Sequence, residues 1–326
     1  MVKANAAGLS LPPSSKPMSR RQLIAKDFKK YKSVYLMMLP IVTLIFVFSY
    51  IPMNGVVIAF QRYNLSKGIF KSQFVGFDNF RTFMGSFYFG RLMRNTFLIS
   101  FYGFLFGFPA PILLALLLNE IKNKAYKRTI QTITYLPHFI SMVVICGIVR
   151  ILLKQDGIIN YIITQLGGSK IFFLADPAYY RTIHIASGIW QNVGYNSIIY
   201  LGAISSLGTE IYEAALIDGA GRWKQAIRLT IPGLIPTISI LFIFNMSGLL
   251  NVGAEKILLL YSASIYETAD VLSTYIYRVG IAGSSMGGGG QYGLAAAVGL
   301  FNSVISMILL IATNQLARKA GGNSLW

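Results

Sequence analysis

Six long apolar stretches run along the chain, at about Val34 to Phe60, Asn95 to Leu118, Ile130 to Leu153, Ile183 to Ser206, Ile231 to Val252 and Tyr292 to Asn314. Their apolar residues are contiguous instead of recurring at amphipathic spacing, and each stretch approaches or exceeds the ~20 residues that cross a bilayer. The pattern predicts an all-α membrane protein with six transmembrane helices. Pro40, Pro52, Pro109, Pro111, Pro137 and Pro236 lie in or beside these stretches. Neighbouring helices can satisfy the carbonyls that proline frees, so kinks are expected there. Residues 1 to about 32 form a basic, proline-bearing tail, and residues 33–326 form one membrane domain with its core at about 90–316. The first apolar stretch is too long for a signal peptide and lacks a small-residue cleavage site, so it is expected to be retained.

Composition agrees with a lipid-facing chain: 54% of the 326 residues are hydrophobic and 12% are charged, against about a quarter charged in soluble domains. The net charge of +18 does not require nucleic acid, because Lys and Arg accumulate on the cytoplasmic side of membrane proteins. With the amino terminus inside, the inner connections carry the tail residues, Lys122, Lys124, Lys127 and Arg128, then Arg222, Lys224 and Arg228, then Arg318 and Lys319. Both termini are therefore expected in the cytoplasm. The outer connections keep Arg62, Lys67, Lys71, Arg81, Arg91, Arg94, Arg150, Lys154, Lys170, Arg181, Lys256 and Arg278. A positive outer mouth concentrates anions, although residues near span ends also reach lipid phosphates.

No catalytic group or metal site is expected. Gly287 to Gly290 lack the Gly-Lys-Ser/Thr ending of a phosphate-binding loop. His138 and His184 have no partners at metal-ligand spacing, and the single cysteine, Cys146, reads as a packed small hydrophobe. Polar residues inside the spans are more informative, since each needs a partner or a wet cavity. The fourth stretch is richest, with Trp190, Gln191, Asn192, Tyr195 and Asn196 within about two turns. Amides, hydroxyls and aromatic faces suit a saccharide path, and also suit hydrogen bonding between helices. Gly103 and Gly107 form a small-residue face for close helix packing.

Between the fourth and fifth stretches lies a cytoplasmic segment at about 207–232, Glu210-Ile-Tyr-Glu213-Ala-Ala-Leu-Ile-Asp218-Gly-Ala-Gly-Arg222 onward to Ile231-Pro232. Glu213 to Ile217 reads as a short helix, Asp218 to Gly221 as a break, and Arg222 to Thr230 as a second helix ended near Pro232. The result is a rigid elbow.

The Glu-Ala-Ala sequence, the Gly that follows and the downstream Ile-Pro resemble the coupling-helix signature of permease subunits in bacterial ATP-binding-cassette (ABC) importers. The resemblance implies a type I importer permease fold. It also implies that Glu213, Ala214, Ala215, Asp218, Gly219, Ala220 and Gly221 form the docking helix and bend against a separate ATPase. Phe74-Val-Gly-Phe-Asp78-Asn-Phe80 and Gly287 to Ala297 resemble carbohydrate importers of the maltose type, over about 70–326. Tyr135-Leu-Pro-His138-Phe-Ile-Ser141, Ile257 to Tyr261 and Leu325-Trp326 are similar to permeases for polysaccharide fragments. By the same resemblance, the sugar path falls on Gln191, Asn192 and Tyr195 of the fourth helix and on Asn245 and Leu249 of the next.

The implied protein is a transporter subunit, not an enzyme, in a bacterial plasma membrane. Its implied partners are a second permease subunit in a heterodimer, two ATPase subunits that hold ATP and Mg, an extracytoplasmic solute-binding protein and membrane lipid. The expected cargo is an oligosaccharide, and the outer basic residues point to an acidic one. A peptide permease of the same class would share the elbow, a secondary transporter would carry more ionisable residues in its spans, and a membrane scaffold would transport nothing.

Overall fold

The computed structural model describes residues 26–283 and 290–319. The tail before residue 26, Gly287 to Gly289 and the Leu325-Trp326 terminus lie outside the described residues. The described chain is almost entirely helical, with a two-stranded antiparallel ribbon of β1 (Gln61–Arg62) and β2 (Gln73–Phe74). It divides into two units, Met1–Gly55 and Val56–Trp326. In the first, α1 (Lys32–Ile45) continues through a π-helical turn at Phe46–Tyr50.

In the second unit, α2 (Phe89–Gly107) and α3 (Pro109–Glu120) join at Phe108, with Pro109 opening α3. A chain break at Pro137 separates α4 (Lys124–Tyr135) from α5 (Met142–Leu153), which is followed by α6 (Ile158–Gln165). α7 (Pro177–Ser205) leads into α8 (Thr209–Ile217) and α9 (Arg222–Gln225), then α10 (Ile231–Ser247). Beyond it come α11 (Ala254–Leu260), α12 (Leu272–Tyr277) and the terminal α13 (Tyr292–Lys319).

Among the described residues four helical runs are long and apolar enough to cross a membrane, Lys32–Phe60, Phe89–Glu120, Arg222–Ser247 and Tyr292–Lys319, and a bent pair, Lys124–Phe139 with Met142–Gln165, makes up to five. That pair turns by 107°. The expected single span over Ile130 to Leu153 is thus broken, because Pro137 cannot donate a backbone hydrogen bond and Ser141 starts a new helix by accepting from the Val144 amide. The expected fourth span is the 29-residue α7, whose Gln, Asn, Ser and Tyr side chains make it less apolar than the others. α7 also starts earlier than its apolar stretch: Asp176 caps the Ala178 amide at 2.8 Å and Pro177 takes the first helical position.

Buried side chains form three clusters among the described residues, two of which include α7. Ile99, Cys146, Val149, Tyr180 and Ile257 belong to one, and Ala115, Tyr200, Ile204 and Leu234 form another. The third joins Phe83 and Leu92 to Leu272, Leu294 and Val298. The tightest crossing lies at Gly194, where an added Cβ would stand 2.1 Å from the Thr134 carbonyl oxygen of α4. Only hydrogen fits there. Gly202, on the same helix, has open space around it. Gly194→Ala is therefore expected to lower stability by roughly 1–3 kcal/mol through overpacking. Gly202→Ala is expected to stay within about 1 kcal/mol of the parent. Thermal melting of the two variants in one detergent checks the contrast, and equal melting temperatures would refute the crossing.

Candidate functional site

α2, α7 and α10 enclose a cavity of ≈ 390 Å³ together with the irregular stretch Gly248 to Gly253 and the start of α11. Its lining mixes apolar residues of α2 with the amide side chains of Gln191, Asn192, Asn196, Asn245 and Asn251. These amides are held to different degrees. Asn192 donates to the Gly188 carbonyl at 3.0 Å and its oxygen meets His138 Nδ1 at 3.0 Å. Asn245 donates to the Leu241 carbonyl at 2.9 Å, and Asn251 accepts from Asn302 at 3.0 Å. By contrast, the buried Gln191 Oε1 and Ser100 Oγ have no hydrogen-bond partner among the described residues, although both residues line the cavity. Buried polar atoms without partners are uncommon, and they leave hydrogen-bonding capacity at this wall.

Four of the five residues expected on a sugar path, Gln191, Asn192, Asn245 and Leu249, line this cavity. Tyr195 is not among its lining residues. Its ring stacks on His138 with centroids 3.8 Å apart, on a partly exposed face of α7. Leu249 is not on the fifth helix as expected. The helix is capped at Gly248, and Leu249 occupies the turn beyond it. Gly103 and Gly107 also line the cavity, where a Cβ on Gly107 would meet Ile189 of α7 at 3.9 Å.

The elbow follows α7 directly. α8 begins at Thr209, one turn before the expected start at Glu213, because Thr209 and Glu210 extend the helix with an acid in its first turn. It ends at Asp218 and Gly219, whose φ of 71° is left-handed. The Ala220 amide bonds back to Ala215 at 2.8 Å and the Gly219 amide to Leu216 at 3.1 Å, the paired pattern of a glycine-terminated helix. Gln225 then donates to the Ala220 carbonyl at 2.7 Å, Tyr212 meets Thr230 at 3.0 Å, and Arg222 lies 3.8 Å from Glu120 at the end of α3. The bend is therefore cross-braced. Glu213, Ala214, Asp218, Gly219 and Gly221 are exposed, and Ala215 and Ala220 are half-buried. Ile217 is 87% exposed and Trp223 78%, which leaves an apolar surface on the elbow.

The second helix of the elbow does not stop near Pro232. A π-helical turn at Ala226–Thr230 carries it into α10, so that Arg222–Ser247 is one run of 26 residues. The wider π turn offsets the carbonyl that a proline ring would otherwise strike one turn earlier. The elbow is thereby joined by unbroken helix to Asn245 in the cavity wall.

Several of the basic residues expected in the outer connections are committed to internal partners. Asp270, fully buried, receives Arg91 at 3.0 Å and Arg278 at 2.9 Å, and Tyr261 and Thr274 also donate to it. Burial, and then the Asp270 carboxylate beside it, push the Tyr261 hydroxyl well above the ordinary tyrosine range. Asn95 of α2 donates to the Glu267 and Asp270 carbonyls and accepts from Arg181 at 2.9 Å. Arg150 donates to the Leu259 carbonyl. Two arginines on one carboxylate leave a surplus positive charge beside a second cavity, which Tyr88, Arg91, Tyr266, Tyr275 and Arg278 help to line. Sequence reasoning missed the Asp270 cluster, since its members lie as far as 179 positions apart. Asn251 and Lys256 also line the first cavity; Lys256 fell in what reads as an outer loop, and Asn251, at the end of the fifth apolar stretch, was not singled out. Among the described residues no group of His, Cys, Asp and Glu is arranged to hold a metal.

Residues 107–321 match the family model described as binding-protein-dependent transport system inner membrane component. The polygalacturonan/rhamnogalacturonan transport system permease protein YteP of Bacillus subtilis (strain 168) is 37% identical over 95% of this chain and 95% of its own length. A bacterial ABC transporter involved in the import of the acidic polysaccharide alginate has a crystal structure in which one chain superposes with a TM-score of 0.82. It is 40% identical, over 91% of this chain and 99% of that one. A crystal structure of bacterial alginate ABC transporter in complex with alginate pentasaccharide-bound periplasmic protein gives a TM-score of 0.82. There the identity is 41%, over 90% of this chain and 97% of the other.

Removing the charge of Asp270 would leave Arg91 and Arg278 facing each other without a counterion. Asp270→Asn is expected to cost on the order of 3 kcal/mol, seen as a lower melting temperature of the purified protein. A melting temperature equal to the parent's would show that the cluster carries no stability.

Proposed function

Because this chain belongs to the family of binding-protein-dependent transport system inner membrane components, we propose that it forms one half of the channel of an ATP-driven importer for acidic oligosaccharides. It is a permease subunit of a carbohydrate ABC importer, and its work is conformational, not catalytic. The observation that carries the reading is the continuity of the site: α7 and α10 both line the amide-walled cavity, and the chain between them is the elbow. A displacement of the elbow moves the two walls.

In this reading Glu213, Ala214 and Ala215 dock on a separate ATPase subunit, which holds ATP and Mg, and Asp218 to Gly221 fix the angle of the docking helix. A second, different permease subunit completes the path, two ATPases drive it, and an extracytoplasmic solute-binding protein delivers the cargo. Both termini face the cytoplasm, and the contact of Arg222 with Glu120 is consistent with the elbow and the end of α3 sharing that side. ATP closes the ATPase pair and opens the cavity outward, while hydrolysis returns it inward. Each ligand acts through its different affinity for the two states. Gln191, Asn192 and Asn245 supply amides to sugar hydroxyls. The acidic character of the cargo is supported by the relatives named above and by the surplus charge of Arg91 and Arg278 at the second cavity.

Reconstituted with its partners, the importer is expected to take up an oligouronate faster than a neutral oligosaccharide of equal length, in a vanadate-sensitive manner. The difference should shrink as salt screens charges over ~8 Å at physiological ionic strength. A preference for the neutral sugar would contradict the acidic-cargo reading alone. Glu213→Lys and Gly219→Val are expected to insert normally but to separate ATP hydrolysis from uptake, the latter because a β-branched residue pays roughly 1–2 kcal/mol for left-handed φ. Normal coupled uptake in both variants would remove the docking role.

A further inference from the structure

We propose that Lys256 reads substrate charge in the cavity, its ammonium pairing with a uronate carboxylate of the passing oligosaccharide. The inference rests on the acidic-cargo reading above and adds a residue to it.

Lys256 is only 7% exposed and lines the same cavity as Gln191 and Asn192. Its Nζ donates to the His184 carbonyl at 2.7 Å, and a Cβ added at Gly188 would lie 3.2 Å from it. The amine therefore rests on the α7 backbone one turn from the amide wall. An ammonium has three donors, and among the described residues one bond is formed, to the His184 carbonyl. Among the described residues no carboxylate lies within 4.0 Å of it. Glu255, the next residue in the same helix, is exposed, and adjacent helical positions do not face each other.

A buried cation without a counterion is costly, and proteins ordinarily pair it. The contrast within this molecule is direct: Arg91 and Arg278 share the Asp270 carboxylate, whereas Lys256 has one backbone carbonyl. A purely structural tie to that carbonyl would be made as well by a neutral donor. The positive charge acquires a use when the missing carboxylate arrives with the cargo. An oligouronate then neutralises the site through charge-assisted hydrogen bonds, while a neutral sugar leaves the ammonium uncompensated. The nearby Gln191 and Ser100, with their unpartnered oxygens, offer the same chain a place for sugar hydroxyls.

The test is equilibrium binding to the complete permease–ATPase complex in nanodiscs, without binding protein, so that only the membrane cavity discriminates. The probes are a uronate trisaccharide and its carboxyl-reduced, neutral counterpart. Lys256→Gln is expected to weaken binding of the acid about tenfold or more and to leave the neutral sugar unchanged. Lys256→Arg is expected to keep the acid preference, and it decides the matter if the Gln variant fails to assemble. Equal loss of both sugars in Lys256→Gln, no loss of either, or an Arg variant without acid preference would overturn the role of Lys256. A parent complex that binds both sugars equally would instead overturn the acidic-cargo reading on which it stands.

Discussion

A helix that carries Gln191, Asn192 and Asn196 across a bilayer cannot leave those amides facing hydrocarbon, where each unsatisfied group costs several kcal/mol. Much of this structure follows from that constraint. α7 is wrapped by α2, α3, α4 and α10, with Ser187, Gln191, Gly194, Ser197 and Tyr200 buried along its length. Its closest neighbour is admitted only because residue 194 has no side chain. Where the wrapping leaves a gap, between α2 and α10, the polar wall of α7 faces a cavity in place of a partner helix. Packing and the cavity wall thus draw on the same helix.

The elbow connects two of the helices that line that cavity. Its two arms continue into the two helices whose side chains line the space, one through the short Ser206 to Gly208 link and the other without a break. Gln225 and Tyr212 brace the bend from within, and Arg222 ties it to Glu120 at the end of α3. The π turn at Ala226–Thr230 lets prolines sit in the same helix without interrupting it. On the opposite side, Asn95, Thr96 and Asp270 tie α2 to the segment before α12 through buried hydrogen bonds.

Most of the long apolar helices, the elbow and its bend at Gly219 were legible in the sequence because each rests on local signals: contiguous apolar residues, a glycine break and a short acidic helix start. Helix ends were less legible. The Asp176-Pro177 start of α7 carried a cap signal that the apolar pattern alone passes over, and Pro232 suggested a stop that the π turn avoids. Pro137 signalled a kink, but the size of the turn there depends on how α4 packs on α7. Four of the five residues expected on a sugar path line one cavity, with Leu249 beyond the helix on which it was expected, whereas Tyr195 shares the helix with Gln191 and faces His138. Lys256, Asn251 and Asp270 gave no local signal, since their partners come from distant segments and only the folded chain brings them together.

The account holds that the amide-walled cavity opens and closes with the elbow. The most direct measurement places a single thiol in the cavity wall, Asn245→Cys with Cys146→Ala, in the assembled importer and compares its labelling by a membrane-impermeant reagent applied from outside. Labelling is predicted to rise when ATP is trapped on the ATPase subunits and to lose that dependence when Gly219→Val is added. The same labelling with and without nucleotide would contradict the account.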